Sequence, residues 1–279
     1  MDGSLQPAER PIGIAILAMG GQGGGVLADW IVALAEQAGW HAQSTSVPGV
    51  AQRTGATIYY VEVMAPRLGG TPVLSLMPVP GDVDVVIAAE LMEAGRAIQR
   101  GLVTPDRTVL IASNHRALAV LEKSRPGDGR ADGAAVMASA ARVARRFLCA
   151  DMQALAERHG SVISAALFGA LAASGALPFP RTAFEATVRA AGVGVEASLR
   201  AFAAGFESIT APPQVPPRAP DAGPSTISGG TAAERAALAR ALERVAREFP
   251  APAQTLLRHG IARLADYQDA ATRSRYSLA

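Results

Sequence analysis

The residues best suited to chemistry lie in two loops near the N-terminus. One is glycine-rich, Met19-Gly20-Gly21-Gln22-Gly23-Gly24-Gly25; the other reads Pro48-Gly49-Val50-Ala51-Gln52-Arg53-Thr54-Gly55. Glycines let a backbone come close to a ligand and turn sharply. A helix that opens directly after them offers free N–H groups and a partial positive charge, which together receive an anion. The second loop adds a fixed cation, Arg53, and an amide, Gln52. The expected binding residues are therefore Gly20, Gly21, Gln22, Gly23 and Gly24 in the first loop and Gln52 and Arg53 in the second. Ser46, with Thr45 beside it, precedes the second loop and either donates to a ligand or caps the loop. Two plainer readings stay open: a strand–helix turn without a ligand, and Arg53 in an interface salt bridge.

The elements that position these loops follow from periodicity. Residues 12–18 are apolar on both faces, as in a strand of a parallel sheet covered on both sides. Residues 26–38 place Val26, Leu27, Trp30, Ile31 and Leu34 at helical spacing, with Gly39 set to end the helix. Residues 41–47 read as a weaker strand, and 56–64, rich in β-branched and aromatic residues, as a strong one. Further strands are expected at 73–77, 83–88 and 108–112, with a helix at 90–101. Helix is then expected over 134–159 with a break near 150–152, and over 162–174, 181–191 and 195–208. Strands alternating with helices and then helices alone predict an α/β fold: a Rossmann-like three-layer domain with a mostly parallel sheet, plus C-terminal helices. Both loops would leave a parallel sheet at its ligand-binding edge. The domain is expected at 11–209, a Pro/Gly/Ser-rich linker at 210–230 and a helical tail at 231–279.

Composition narrows the function. Charged residues make up 18% of the 279-residue chain against 49% apolar; the usual charged share is about 25%. The deficit fits either a surface covered by another subunit or a composition bias toward alanine. A net charge of +2 with scattered arginines argues against nucleic acid. Residues 1–10 hold no apolar signal core, and no apolar run is long enough to span a bilayer, so a cytoplasmic protein is expected. The single cysteine, Cys149, reads as a buried small hydrophobe. His41, His115, His159 and His259 lack metal spacing, so no metal site is assigned. His115, with Ser113 and Asn114 at a strand end, is the one histidine with a route to the cleft.

Familiar cofactor patterns fail on inspection. After Gly21 and Gly23 the third glycine of a dinucleotide motif is replaced by Val26, and the second strand ends in Ser44-Thr45-Ser46 without an acid. The sole lysine, Lys123, is far from the glycines, which excludes a P-loop. Gly127-Asp128-Gly129 has the form of a thiamine diphosphate motif, but the only asparagine, Asn114, lies upstream of it. No nucleophile elbow is present. No catalytic acid or base is assigned.

The two loops together resemble the gamma-type domain of 2-oxoacid:ferredoxin oxidoreductases, and in particular the branch of the indolepyruvate ferredoxin oxidoreductase beta subunit. The resemblance rests on Gly20-Gly21-Gln22-Gly23 and on Val47-Pro48-Gly49-Val50-Ala51-Gln52-Arg53-Thr54-Gly55. It is extended by the strand-to-helix step from Val83 to Leu91 and by Val162-Ile163-Ser164-Ala165-Ala166-Leu167-Phe168-Gly169-Ala170, where Ser164 or Ala165 falls near the family's usual asparagine. Thr54 departs from the family's glycine, and Gly24-Gly25 is an extra pair. Residues 264–269 are similar to a segment of longer relatives that continue further; a short form and a fragment both stay open.

The resemblance implies a heteromeric enzyme. A large alpha subunit would carry thiamine diphosphate, Mg²⁺ and [4Fe–4S] clusters, and this chain would bind none alone. The complex, expected as (alpha-beta)2, would oxidatively decarboxylate an aryl 2-oxoacid such as indolepyruvate, with coenzyme A taking the acyl group and ferredoxin the electrons. This chain would close the active-site cleft. The alternatives are a stand-alone nucleotide-binding oxidoreductase and a non-catalytic assembly or regulatory subunit.

Overall fold

The computed structural model describes residues 10–47, 57–66, 72–118, 122, 129–210, 232–251, 253, 254, 257, 258, 260 and 261. The chain divides into two compact units, Met1–Pro212 and Pro213–Ala279. The first holds a six-stranded sheet: β1 (Ile12–Ala18), β2 (His41–Val47), β3 (Thr57–Met64), β4 (Val85–Ala88), β5 (Val109–Ser113) and β6 (Arg146–Ala150). Its helices are α1 (Gly24–Gln37), α2 (Leu91–Gln99), α3 (Gly133–Val143), α4 (Met152–Arg158), α5 (Ile163–Ser174), α6 (Arg181–Ala190) and α7 (Val195–Thr210). The second unit contains α8 (Ala232–Glu248), along which Arg244 pairs with Glu248 one turn on. This is the expected α/β class, a three-layer domain with a mostly parallel sheet and C-terminal helices.

Strand order is β2-β3-β1-β4-β5-β6. β1, β4, β5 and β6 are parallel neighbours, whereas β3 runs antiparallel to both β1 and β2. β1 and β2 therefore point the same way with a reversed strand between them. The carboxyl ends of β1 and β2 thus lie at one edge, but not on adjacent strands; the loop after β2 lies outside the described residues.

Alternation along the central strands feeds two cores. Ile14 and Ile16 of β1, Val85 and Ile87 of β4 and Val109 and Ile111 of β5 face α1 and the helices α4 to α7. Ala15, Leu17, Val86, Ala88, Leu110 and Ala112 face α2 and α3. On the first side α5 and α7 cross closely. A Cβ on Gly169 would lie 2.0 Å from the Phe202 carbonyl oxygen, and one on Gly205 2.0 Å from that of Ala166. Glycine at both points is a packing requirement.

Two expectations are corrected. Residues 146–150 form β6, where helix was expected up to a break near 150–152. Phe147 and Cys149 pack into one core and Leu148 and Ala150 into the other, a period of two too short to stand out in an alanine- and arginine-rich run. Cys149 thus lies in a strand, and burial first, then Asp151, pushes its thiol up to about 12, which keeps it protonated. Residues 73–77 form no strand. Side chains of β2 and β3 take the backbone groups a ladder would use: Ser75 N–H donates to Glu62 Oε2 (2.7 Å), and Thr45 Oγ1 donates to the Leu76 carbonyl (2.6 Å).

At the amino ends of β1, β4 and β5, Asp84 accepts from Arg10 Nη1 (2.9 Å) and Nη2 (2.6 Å), from the Gly13 amide (3.0 Å) and from Arg107 Nε (3.0 Å). Arg107 also pairs with Asp82.

Candidate functional site

The glycine turn is positioned by β1 and α1 and closes on itself. Gln22 N–H donates to the Met19 carbonyl (3.1 Å), and the Gln22 side-chain Oε1 accepts the Met19 N–H (2.8 Å). Gln22 is therefore a positioning residue of the turn. Gly21 (φ 87°) and Gly23 (φ 67°) occupy the left-handed region, which no other residue type enters cheaply. Gly24 is fixed by crowding: a Cβ there would lie 2.6 Å from Tyr59 Cε2 and 2.8 Å from Ala18 Cβ. Gly20 and Gly21 are exposed, and Cβ atoms on them would meet nothing within 4 Å. The five residues thus divide into a crowded inner pair, Gly23 and Gly24, and an open outer face.

The electrostatics suit an anion. Gly23 is the N-cap of α1 and brings no side-chain cap, and the first turn carries no acid. The leading amides keep their N–H groups available, with the positive end of the helix dipole behind them. Tyr59 flanks this terminus, its hydroxyl 3.8 Å from the place of a Gly25 Cβ. Sequence reasoning missed Tyr59, whose position follows from the β1–β3 register, Ile16 opposite Tyr59.

Ser46 lies opposite Tyr59 on the outer strand, exposed, with β3 between it and the turn. Opposite residues of an antiparallel pair share a face, so Ser46 is on the same side of the sheet as α1 but two strands from β1. Thr45 is committed to the Leu76 carbonyl. Gln52 and Arg53 lie outside the described residues.

The next strand ends carry further polar groups. Ser113 Oγ accepts from the Met152 and His115 amides (3.2 and 3.3 Å), and the His115 carbonyl accepts from the Leu91 N–H (3.1 Å), so these residues stitch β5 to α2 and α4. Glu90, directly after β4, is 1% exposed and accepts from the backbone of Met92 and Ala117. Glu93 is 2% exposed and pairs with Arg96 (3.3 Å). Burial raises both carboxyls above the ordinary glutamate range. Sequence reasoning placed Glu90 at the start of a helix and assigned it no environment. Arg116 pairs with Glu122 and reaches the Ala131 carbonyl (3.2 Å). A cleft of about 590 Å³ at the N-terminus of α3 is lined by Arg116, Leu118, Arg130, Ala131, Asp132 and Gly133, none of them in the glycine turn. Among the described residues no three metal-ligating side chains gather, and no helix is long and apolar enough to cross a membrane.

The strand directions mark this edge as the candidate one. α1 leaves β1 toward one face and α2 leaves the neighbouring parallel β4 toward the other. Where successive connections depart to opposite faces, an α/β sheet opens a crevice at the carboxyl ends of its strands. The glycine turn and Glu90 lie at that end of the sheet.

The comparisons fit a layered α/β protein. The profile of the pyruvate ferredoxin/flavodoxin oxidoreductase family matches residues 13–208, and the chain belongs to that family. Among solved structures it is similar to the PORC subunit of pyruvate oxidoreductase from Thermotoga maritima (19% identity, TM-score 0.50, covering 71% of this chain and 97% of that one). It is also similar to the gamma subunit of a keto/oxoacid ferredoxin oxidoreductase from Geobacter sulfurreducens (19%, TM-score 0.47, 72% and 99%). A third is 2-oxoglutarate:ferredoxin oxidoreductase from Magnetococcus marinus, with 2-oxoglutarate, coenzyme A and succinyl-CoA bound (15%, TM-score 0.48, 75% and 32%). At 19% identity the first of these shows a likeness of fold alone. No curated protein matches at a comparable level.

Proposed function

We propose that this chain is the small subunit of a thiamine-dependent 2-oxoacid:ferredoxin oxidoreductase, acting on an aryl pyruvate such as indolepyruvate. It closes the active-site cleft of a large partner subunit. That partner holds thiamine diphosphate, Mg²⁺ and [4Fe–4S] clusters, which supply the bond-breaking chemistry and the electron path; coenzyme A and ferredoxin are co-substrates, the assembly is (alpha-beta)2, and the compartment is the cytoplasm. The observation that carries the reading is the family match over residues 13–208 together with a glycine turn whose outer face is open at the switch point. In this reading Gly20 to Gly24 present amides to an anionic group. Gln52 and Arg53 approach from the loop after β2, and Ser46 lies at the rim of the cleft.

The test is co-expression with the large subunit and a screen of 2-oxoacids by ferredoxin reduction. Turnover is expected from the complex and not from this chain alone. Arg53→Ala is expected to lower kcat/KM by about tenfold to a hundredfold, the range for losing a hydrogen bond to a charged group. Wild-type turnover by that variant would favour an assembly or regulatory subunit; tight binding of NAD(P)H or flavin by the isolated chain would favour a stand-alone oxidoreductase.

A further inference from the structure

Ser164 is the second residue of α5 and is 0% exposed, and its hydroxyl has no hydrogen-bond partner. A buried hydroxyl without a partner lowers stability, and alanine would fill a first-turn position without that loss. The hydroxyl is aimed at the glycine turn: a Cβ on Gly23 would lie 3.0 Å from Ser164 Oγ. The first turn of α5 therefore abuts the N-cap of α1. Both helices are long enough to carry an end charge, 14 and 12 residues. Neither has a side-chain cap, and neither has an acid in its first turn.

We propose that the glycine turn and the first turn of α5 form one receptor for a singly charged oxyanion, with the Ser164 hydroxyl as a binding donor. The inference rests on the functional reading above and names the chemistry of the same site. Each helix end is worth about half a positive charge, so two together balance about one negative charge. That matches a carboxylate or one oxygen-bearing phosphoryl of a pyrophosphate, and it mismatches a cation or a neutral sugar. Gly23 covers the hydroxyl from solvent, so the guest engages it by displacing the turn at Gly23; Gly20 and Gly21 ahead of it are exposed, and a Cβ on either would meet nothing within 4 Å. A hydroxyl that water does not reach loses no hydration when it bonds to the anion, and the bond forms in a low dielectric. The chemistry has two sources here: the carboxylate of a 2-oxoacid, or the pyrophosphate of a nucleotide-bearing thiol.

Calorimetric titration of the full-length chain with pyruvate and, separately, with ADP distinguishes them. Binding of pyruvate alone assigns the carboxylate; binding of ADP alone assigns the pyrophosphate. Ser164→Ala is expected to weaken the bound probe by about tenfold to a hundredfold while melting at the same temperature as wild type or higher. Val162→Asp supplies α5 with the missing cap at an exposed position (55%). It is expected to raise the melting temperature and also weaken the probe, because its charge occupies the same helix end. Absence of binding by either probe at millimolar concentration, or unchanged affinity in Ser164→Ala, overturns the proposal. Either result leaves co-assembly and turnover with the large subunit readable, so the two ideas fail separately.

Discussion

At the amino ends of the parallel strands, Asp84 is surrounded by donors from Arg10, Arg107 and the Gly13 amide. At the carboxyl ends the opposite holds. Among the described residues, Ser164 Oγ, one oxygen each of Glu90 and Glu93, and Arg116 Nε are buried without a partner. All four belong to segments that begin where β1, β4 and β5 end, or that pack against them there. A sheet free to optimise stability would satisfy both edges alike. Among the described residues one edge is satisfied and the other under-satisfied, the contrast expected of a stability–function trade-off if the second edge receives a guest.

The largest effect that tests this contrast is at the satisfied edge. Asp84→Ala leaves two guanidinium groups and an amide without their acceptor, and it is expected to destabilise by about 2–3 kcal/mol in urea unfolding. Burial alone would raise the Asp84 carboxyl, but the hydrogen bonds from Arg10, Gly13 and Arg107 outweigh it and hold the carboxyl below the ordinary range. Its stabilisation is therefore complete above the unfolded-state value and is lost as pH falls through the lower folded value. The variant should lack that acid limb. An Asp84→Ala protein as stable as wild type would remove the contrast.

At the under-satisfied edge the sign reverses. Burial is the leading cause that lifts Glu90, opposed by the Met92 and Ala117 amides; burial also leads for Glu93, opposed by Arg96. The folded protein holds these protons more tightly than the unfolded chain. Their contribution is thus fully present below the unfolded value and is lost as pH rises through the raised folded values. Glu90→Gln with Glu93→Gln should flatten that loss and gain about 1 kcal/mol at neutral pH, because a neutral amide is less costly to bury than a carboxylate. Urea midpoints at mildly acidic and neutral pH read the difference. A neutral-pH loss of stability would mean that both carboxylates are already served.

The contrast itself was invisible in the amino-acid string, although much around it was legible. Residues 14–18 of β1 alternate between two apolar cores, so the strand, its burial and the glycine turn after it could be read directly. The strand at β3 was legible too, but not its antiparallel direction, since its residues carry strand character and no direction. β6 was hidden because five residues of alternation inside an alanine-rich run look helical. Ser164 was legible as part of a family-like helix but not as a group beside Gly23. An unpaired atom is defined by what fails to surround it, and only packing decides that.

Within the turn the same contrast recurs at the scale of single glycines, and it gives the smallest stability change. Gly24 is closed in by Tyr59 and Ala18, whereas Gly20 lacks a positive φ and any contact for a Cβ. Gly20→Ala should therefore shift unfolding by no more than about 0.5 kcal/mol. If the outer face of the turn meets an anion in the assembled enzyme, the added methyl stands between that anion and the leading amides, and kcat/KM of the complex should fall severalfold with the melting curve unmoved. A methyl that changes neither quantity would mean that the open face of the turn looks at water, and the under-satisfied edge would then need a reason other than a ligand at this turn.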